Sequence, residues 1–176
     1  RLWPMSRKSK PKQLHNLVSE KSLIQETFER VKKSDVPVEN IFVSTIPEYN
    51  DEIKKQLPEI SEGNFIVEPA GRNTAPSILY LAKKILSKDP EAYIATLPSD
   101  HVVDNMDEFR QMVQTSFKAV EKYSDHLIVV GIKPTRPDTG LGYIKIGTAK
   151  EEIDGQQVFE VDKFVEKPDL KTAEIY

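Results

Sequence analysis

The sequence predicts an α/β fold in which a largely parallel β-sheet is covered by helices on both faces. Segments with a helical spacing of apolar residues alternate with short β-branched runs through residues 22–132. Beyond residue 132 only strands are predicted, around a turn-forming Asp154-Gly155 pair. Such alternation is typical of parallel sheets, because the connections between parallel strands are usually helices.

The first half of the chain contains three predicted helices and two predicted strands. The helices cover residues 22–33, 47–57 and 74–87, and the strands cover residues 41–45 and 64–68. Ser22 is a good N-cap, and Pro47 suits the first turn of a helix. One face of the third helix is predicted to be buried, formed by Ile78, Leu79, Ala82, Ile85 and Leu86.

The second half continues with a strand over residues 92–97, a helix over residues 107–122 and a strand over residues 126–132. Strands over residues 143–146 and 157–165 follow. The inward face of the helix is formed by Phe109, Met112, Val113, Phe117 and Val120.

Composition excludes several classes of protein. The 176 residues carry a formal net charge of −3 and no cysteine, so a nucleic-acid binder, a disulfide framework and a thiolate metal site are all disfavoured. No apolar stretch reaches the roughly 20 residues that span a bilayer. We expect a cytoplasmic protein with no nucleic-acid or membrane partner, and the sequence leaves a homo-oligomer open.

Polar motifs follow the predicted strands where a parallel sheet binds its ligands, outside the carboxyl ends of the strands. Asp100 follows the strand over residues 92–97 and could bind a hard cation such as Mg²⁺ or simply stabilise a turn. Gly71 and Asn73 precede a helix and could contact a base, or Asn73 or Thr74 could be only the N-cap. Lys167 could neutralise a phosphate while Glu166 accepts from sugar hydroxyls, or the two could form an exposed pair.

The first twelve residues carry five positive charges and no acid. A solvated basic tail and a localisation signal are alternatives, but two prolines and a tryptophan in this run favour an ordered loop that faces an anion. The glycine-containing segment 139–143 could be a plain turn or could place backbone groups against a ligand.

Taken together, these motifs resemble the sugar-1-phosphate nucleotidyltransferases over essentially the whole chain. Residues 1–7 with 11–13 look like the signature loop of that family, and residues 68–76 resemble the base-recognition segment of its mannose-1-phosphate guanylyltransferase branch. Residues 98–101, 139–143 and 164–168 match further motifs in order. Ser99 and Leu141 depart mildly from the family pattern.

The resemblance implies a Rossmann-like three-layer sandwich with a mostly parallel, mixed sheet, of the nucleotide-diphospho-sugar transferase type. It also implies transfer of a guanylyl group from GTP to mannose 1-phosphate, with Mg²⁺ as cofactor. The residues that it assigns to the nucleotide are Arg1, Arg7, Lys12, Glu68, Gly71, Asn73, Thr74 and Asp100, of which Arg7, Lys12 and Asp100 are catalytic and Asp100 is the metal ligand. Those that it assigns to the sugar phosphate are Gly142, Glu166 and Lys167.

Three alternatives remain at this point. One is a sister enzyme that uses another nucleotide or sugar, the second is a non-catalytic regulatory subunit that senses a sugar nucleotide, and the third is a phosphate-binding module without turnover. Residues 1–176 are interpreted as one catalytic domain. The family's Gly-rich loop and second metal-binding aspartate are expected before Arg1 and after Tyr176, so this domain is interpreted as incomplete at both ends.

Overall fold

A computed structural model of the protein describes residues 2–71 and 73–176, so Arg1 lies outside the described residues. The chain divides into two compact units, residues 1–110 and 111–176. The first unit contains helices α1 (Leu23–Lys32), α2 (Pro47–Gln56) and α3 (Thr74–Leu86) and strands β1 (Val43–Thr45) and β2 (Phe65–Val67). Helix α4 (Met106–Lys122) begins in the first unit and ends in the second. The second unit adds β3 (Gly142–Ile153), β4 (Gln156–Glu166) and the short helix α5 (Leu170–Ala173).

Helix α1 begins where the sequence predicted. The Ser22 hydroxyl accepts from the backbone N–H of Gln25, and the Gln25 side chain accepts from the N–H of Ser22 at 2.9 Å, which together make a capping box. The Ser22 hydroxyl also donates to Gln56 Oε1 at 2.6 Å, which ties the start of α1 to the end of α2. Helix α2 starts at Pro47, as predicted.

Strands β1 and β2 pair in parallel, with Val43 opposite Phe65 and Thr45 opposite Val67. The predicted strands at 41–45 and 64–68 and their parallel direction are therefore confirmed. The pair and its helices enclose a hydrophobic core, which consists of Leu14, Ile24, Phe28, Ile53, Leu57, Ile60 and Phe65. An α/β organisation with a parallel sheet is thus present.

Two predicted strands, at residues 92–97 and 126–132, are wrong: neither segment pairs with another strand in the described structure. A strand exists only when a neighbouring backbone accepts and donates its hydrogen bonds, and these two apolar runs have no such neighbour. Leu97 is 41% exposed and Leu127 is 97% exposed. The sheets are consequently one parallel pair and one antiparallel pair.

Helix α3 forms at the predicted position, but its predicted buried face is wrong. No described residue of α3 is buried, and Leu79 is 71% exposed. The strands of a two-stranded sheet lie about 5 Å apart, whereas a helix with its side chains is about 10 Å wide. The β1–β2 pair is therefore too narrow to cover the helix.

Helix α4 has part of its predicted inward face buried: Phe109 and Val113 are both 8% exposed.

The second unit is built on the β3–β4 hairpin. Its turn is the predicted Asp154-Gly155 pair, with φ of 50° and 78°, the left-handed conformations that a tight hairpin turn requires. Lys118 forms an ion pair with Asp154 at 2.6 Å, and Gln111 donates to the Asp154 carbonyl at 2.9 Å, so α4 is fixed to this turn. Both strands extend beyond their predicted ends. In residues 2–71 and 73–176, none of the helices combines the length and apolarity needed to cross a membrane.

Candidate functional site

The described part of the basic segment, residues 2–12, folds into a loop with hydrogen bonds of its own. Arg7 and Lys10 form an antiparallel bridge in which each N–H donates to the other carbonyl at 3.0 Å. The Tyr49 hydroxyl donates to the Lys8 carbonyl at 2.9 Å, which anchors the loop to α2. The Arg7 side chain is exposed and, among the described residues, forms no ion pair. Arg7 is therefore available to an anion.

The structure brings two predicted site residues together. Lys12 opens a short 3₁₀ turn that the buried Leu14 anchors, and its ammonium forms an ion pair with the Asp100 carboxylate. The Asp100 side chain is 20% exposed and that of Lys12 is 44% exposed. Partly exposed pairs of this kind contribute little to stability, because water screens the attraction between the charges. The structure thus places a cation and a carboxylate side by side. Separating them would cost little free energy of folding.

Arg30 supports the loop that carries Asp100, a role that the sequence did not suggest. It is 6% exposed, donates to the His101 carbonyl at 3.1 Å and to the Thr27 hydroxyl at 3.0 Å, and lies over the Phe109 ring. Burial lowers the pKa of its guanidinium, which still stays charged. The signal in the sequence that could have indicated this role is the position of Arg30, a charged residue next to the apolar face of α1.

The predicted base-recognition segment connects β2 to α3. Asn73 occupies the N-cap position of α3 with φ of 68°, and its side chain makes no capping hydrogen bond. Gly71, Asn73 and Thr74 are all exposed. Because the Asn73 amide does not cap the helix, both its donor and its acceptor remain available to a ligand.

Glu68 lies behind this segment and is 9% exposed. Its Oε1 accepts from the Ser44 hydroxyl at 3.0 Å and from the Ser77 hydroxyl at 2.6 Å. Neither serine was predicted as a site residue, because an isolated serine in a strand or a helix carries no pattern that points to a site.

The other predicted residues lie together in the second unit. Gly142 is opposite Glu166 in the β3–β4 register, and a Cβ added at Gly142 would collide with the Glu166 carboxylate. Lys167 follows β4 with φ of 49°, a left-handed conformation that is costly for a lysine. Glu166 and Lys167 are exposed and form no ion pair with any described residue.

The segment before Gly142 is fixed by Tyr143, which is 6% exposed. Its hydroxyl accepts from the Asp138 N–H at 2.8 Å and donates to the Asp138 carbonyl at 3.1 Å. The Asp138 carboxylate accepts from the Gly140 N–H at 2.9 Å, and this bond, with a second from Arg136, holds the pKa of Asp138 below its ordinary value. The glycine turn therefore has a defined shape.

Tyr143→Phe is expected to destabilise the hairpin unit by about 1–3 kcal/mol, because it leaves a backbone N–H and C=O of Asp138 without their shared partner. Urea unfolding followed by far-UV circular dichroism measures the change. Tyr93→Phe is the matched control, since the Tyr93 ring is 49% exposed. An equal effect of the two substitutions would contradict this role for Tyr143.

Asp100 is the acidic residue that fits a metal site in this part of the protein. Within residues 2–71 and 73–176, no three His, Cys, Asp or Glu side chains cluster in a way that could hold a metal ion. Asp100 is in contact with Lys12, one of the phosphate-binding candidates. Mg²⁺ commonly takes one or two carboxylates and completes its octahedron with phosphate and water oxygens. Asp100 therefore fits as one ligand of such an ion, with oxygen atoms of a phosphorylated substrate among the others.

Comparison with known proteins finds one matching family and several similar proteins. The model of the nucleotidyl transferase family matches residues 1–176. A mannose-1-phosphate guanylyltransferase of Klebsiella pneumoniae is 36% identical over all of this chain and 37% of its own length. The xanthan biosynthesis protein XanB of Xanthomonas campestris is 38% identical over all of this chain and 36% of its own length. The alginate biosynthesis protein AlgA of Pseudomonas putida is 33% identical over 98% of this chain and 35% of its own length. The chain thus spans little more than a third of these relatives.

Proposed function

The chain belongs to the nucleotidyl transferase family, and from this premise we propose that it transfers a guanylyl group from GTP to mannose 1-phosphate. A phosphate oxygen of mannose 1-phosphate forms a bond to the α-phosphorus of GTP, and the bond from that phosphorus to the β-phosphate oxygen breaks. The products are GDP-mannose and pyrophosphate. Mannose 1-phosphate is the substrate named in several relatives that match the whole chain, which supports this choice.

The main obstacle to this reaction is electrostatic. The attacking phosphate is already a nucleophile, but it carries about two negative charges and must approach a triphosphate that carries about four. The reaction therefore needs cations and positioned donors, and it needs no serine or cysteine nucleophile. Exposed Arg7 and the Lys12–Asp100 pair supply this type of chemistry.

The observation that carries the proposal is the contact between Lys12 and Asp100, residues far apart in the sequence. Lys12, with Arg7 and Arg1, would bind the triphosphate, which replaces Asp100 as the partner of the ammonium. The Asp100 carboxylate, released from Lys12, would then hold Mg²⁺. That ion, when bound, neutralises charge that develops on the phosphate oxygens.

Specificity is assigned to two further groups of residues. The Asn73 amide and the backbone of Gly71 and Thr74 would read guanine, with Glu68 supporting them. Lys167 would bind the phosphate of mannose 1-phosphate, while Glu166 and the backbone of Gly142 bind mannose hydroxyls. The exposed, unpaired state of Lys167 among the described residues supports this assignment.

We further propose that residues 1–176 belong to one catalytic domain with the three-layer, Rossmann-like sandwich. We also propose that the enzyme is cytoplasmic and that Mg²⁺ is its metal. The parallel β1–β2 pair with its flanking helices supports the fold.

A substrate panel tests the proposed function. The protein at its natural length is incubated with Mg²⁺, mannose 1-phosphate and, in turn, GTP, UTP or dTTP, and pyrophosphate release is measured. We expect GTP to give the highest kcat/KM. A preference for another nucleotide would indicate a sister enzyme, and nucleotide binding without pyrophosphate release would indicate a sensor.

A further inference from the structure

The buried carboxylate of Glu68 accepts hydrogen bonds from two hydroxyl groups. Among the described residues it forms no ion pair, although it is 9% exposed. Burial of a carboxylate is costly unless hydrogen bonds replace its lost hydration. Here Ser44 and Ser77 both donate to the same oxygen, at 3.0 Å and 2.6 Å, and the two hydroxyl oxygens are 3.2 Å apart.

The three side chains connect three elements of the first unit. Ser44 is the middle residue of β1, Glu68 directly follows β2, and Ser77 lies in the first turn of α3. The Glu68 N–H also donates to the Thr45 carbonyl at 2.7 Å and so extends the β1–β2 ladder. A negative charge near the start of a helix is favourable, because the free N–H groups there carry partial positive charge.

This cluster joins the two ends of the segment that carries Gly71 and Asn73. The segment leaves β2 at Glu68 and enters α3 just before Ser77, so the Glu68–Ser77 bond closes it into a loop. Asn73 has φ of 68°, a backbone conformation that persists only where the surrounding structure fixes it. Its amide has no capping bond to hold it in place. The Glu68–Ser77 bond between the two ends of the segment supplies such a constraint.

We propose that Ser44 and Ser77 are positioning residues for nucleotide selection. Through the Glu68 carboxylate they fix the loop and hold the Asn73 amide and the Gly71 backbone in the orientation that accepts guanine. This inference rests on the proposed function, since it deepens the role given to the same segment. Its effect falls on the choice of base, and the phosphate-binding residues keep their places.

Ser77→Ala tests the inference, with Ser87→Ala as the matched control. Ser87 follows the other end of α3, where its hydroxyl donates to the Lys84 carbonyl at 2.8 Å, so each substitution removes one hydroxyl bond of the same helix. The kcat and KM for GTP and UTP are measured at saturating mannose 1-phosphate, and the dissociation constants of both nucleotides are measured by calorimetry without the sugar phosphate.

For Ser77→Ala we expect the preference for GTP over UTP to fall about tenfold, as for loss of one hydrogen bond to a charged group. The change should appear in KM and in the dissociation constant for GTP, with kcat nearly unchanged. Ser77→Thr, which keeps the hydroxyl, should restore most of the preference, and Ser87→Ala should leave it at the wild-type value.

An unchanged GTP-to-UTP ratio in Ser77→Ala would overturn the inference, as would equal losses in Ser77→Ala and Ser87→Ala. Failure of the proposed function looks different. If the wild type prefers UTP, guanine is the wrong base, but the effect of Ser77→Ala on that preference still decides whether the serines position the loop. A drop in melting temperature with an unchanged ratio would assign the cluster to stability alone and would also overturn the inference.

Discussion

Asp100→Asn is expected to lower kcat for GDP-mannose formation by about 10²- to 10³-fold, the size of effect seen when one group that stabilises transition-state charge is removed. The substitution keeps the shape of the side chain and removes the charge that faces Lys12. A neutral amide is a much poorer ligand for Mg²⁺ than a carboxylate. Stability should change little, because the Lys12–Asp100 pair is partly exposed.

The measurement is pyrophosphate release at saturating GTP and mannose 1-phosphate over a series of Mg²⁺ concentrations. Asp104→Asn is the control, since Asp104 is an exposed aspartate of the same loop. Lys12→Met and the double variant with both Lys12→Met and Asp100→Asn complete a double-mutant cycle. Because the two residues are in contact, we expect their effects to be less than additive. Near-full turnover in Asp100→Asn would show that the metal assignment is wrong.

Lys167→Met is expected to lower kcat/KM for mannose 1-phosphate by about 10²-fold while the KM for GTP changes little. The ammonium is exposed and without an ion-pair partner among the described residues, so a phosphate can reach it. Hydrogen bonds to charged groups are worth about 1.5–3 kcal/mol each, and loss of the charge–charge contact with the phosphate adds to this.

Lys163→Met is the matched control, since Lys163 is an exposed lysine of β4, the strand that Lys167 directly follows. Initial rates with each substrate varied in turn separate the two KM values. Equal effects of Lys167→Met and Lys163→Met, or an effect on GTP alone, would contradict the assignment of Lys167 to the sugar phosphate.

Several of the elements that the sequence predicted correctly have a local physical cause. The capping box of Ser22 and Gln25 needs only four consecutive residues, and Asp154-Gly155 forms its turn because both residues accept positive φ. The strands at 92–97 and 126–132 failed for the opposite reason. A strand depends on a distant partner, and an apolar run alone does not show whether that partner is present.

The candidate site likewise contains residues that a local motif reveals and contacts that join distant segments. Gly71, Asn73 and Thr74 are consecutive in the chain or nearly so, and a motif could find them. The Lys12–Asp100 contact and the support of Asp100 by Arg30 through His101 join distant segments, so only the structure shows them. Only the structure reveals the contacts of Ser44 and Ser77 with Glu68 as well. The three residues lie in or next to three different elements and are separated in the sequence.

The most direct test of the proposed function follows the oxygen atoms of the sugar phosphate. Mannose 1-phosphate labelled with ¹⁸O at its non-bridging positions is incubated with GTP, Mg²⁺ and the protein at its natural length, and both products are analysed by mass spectrometry. Attack of the labelled phosphate on the α-phosphorus predicts GDP-mannose that keeps all the label and pyrophosphate that contains none. Label in pyrophosphate, or release of GMP without GDP-mannose, would contradict guanylyl transfer.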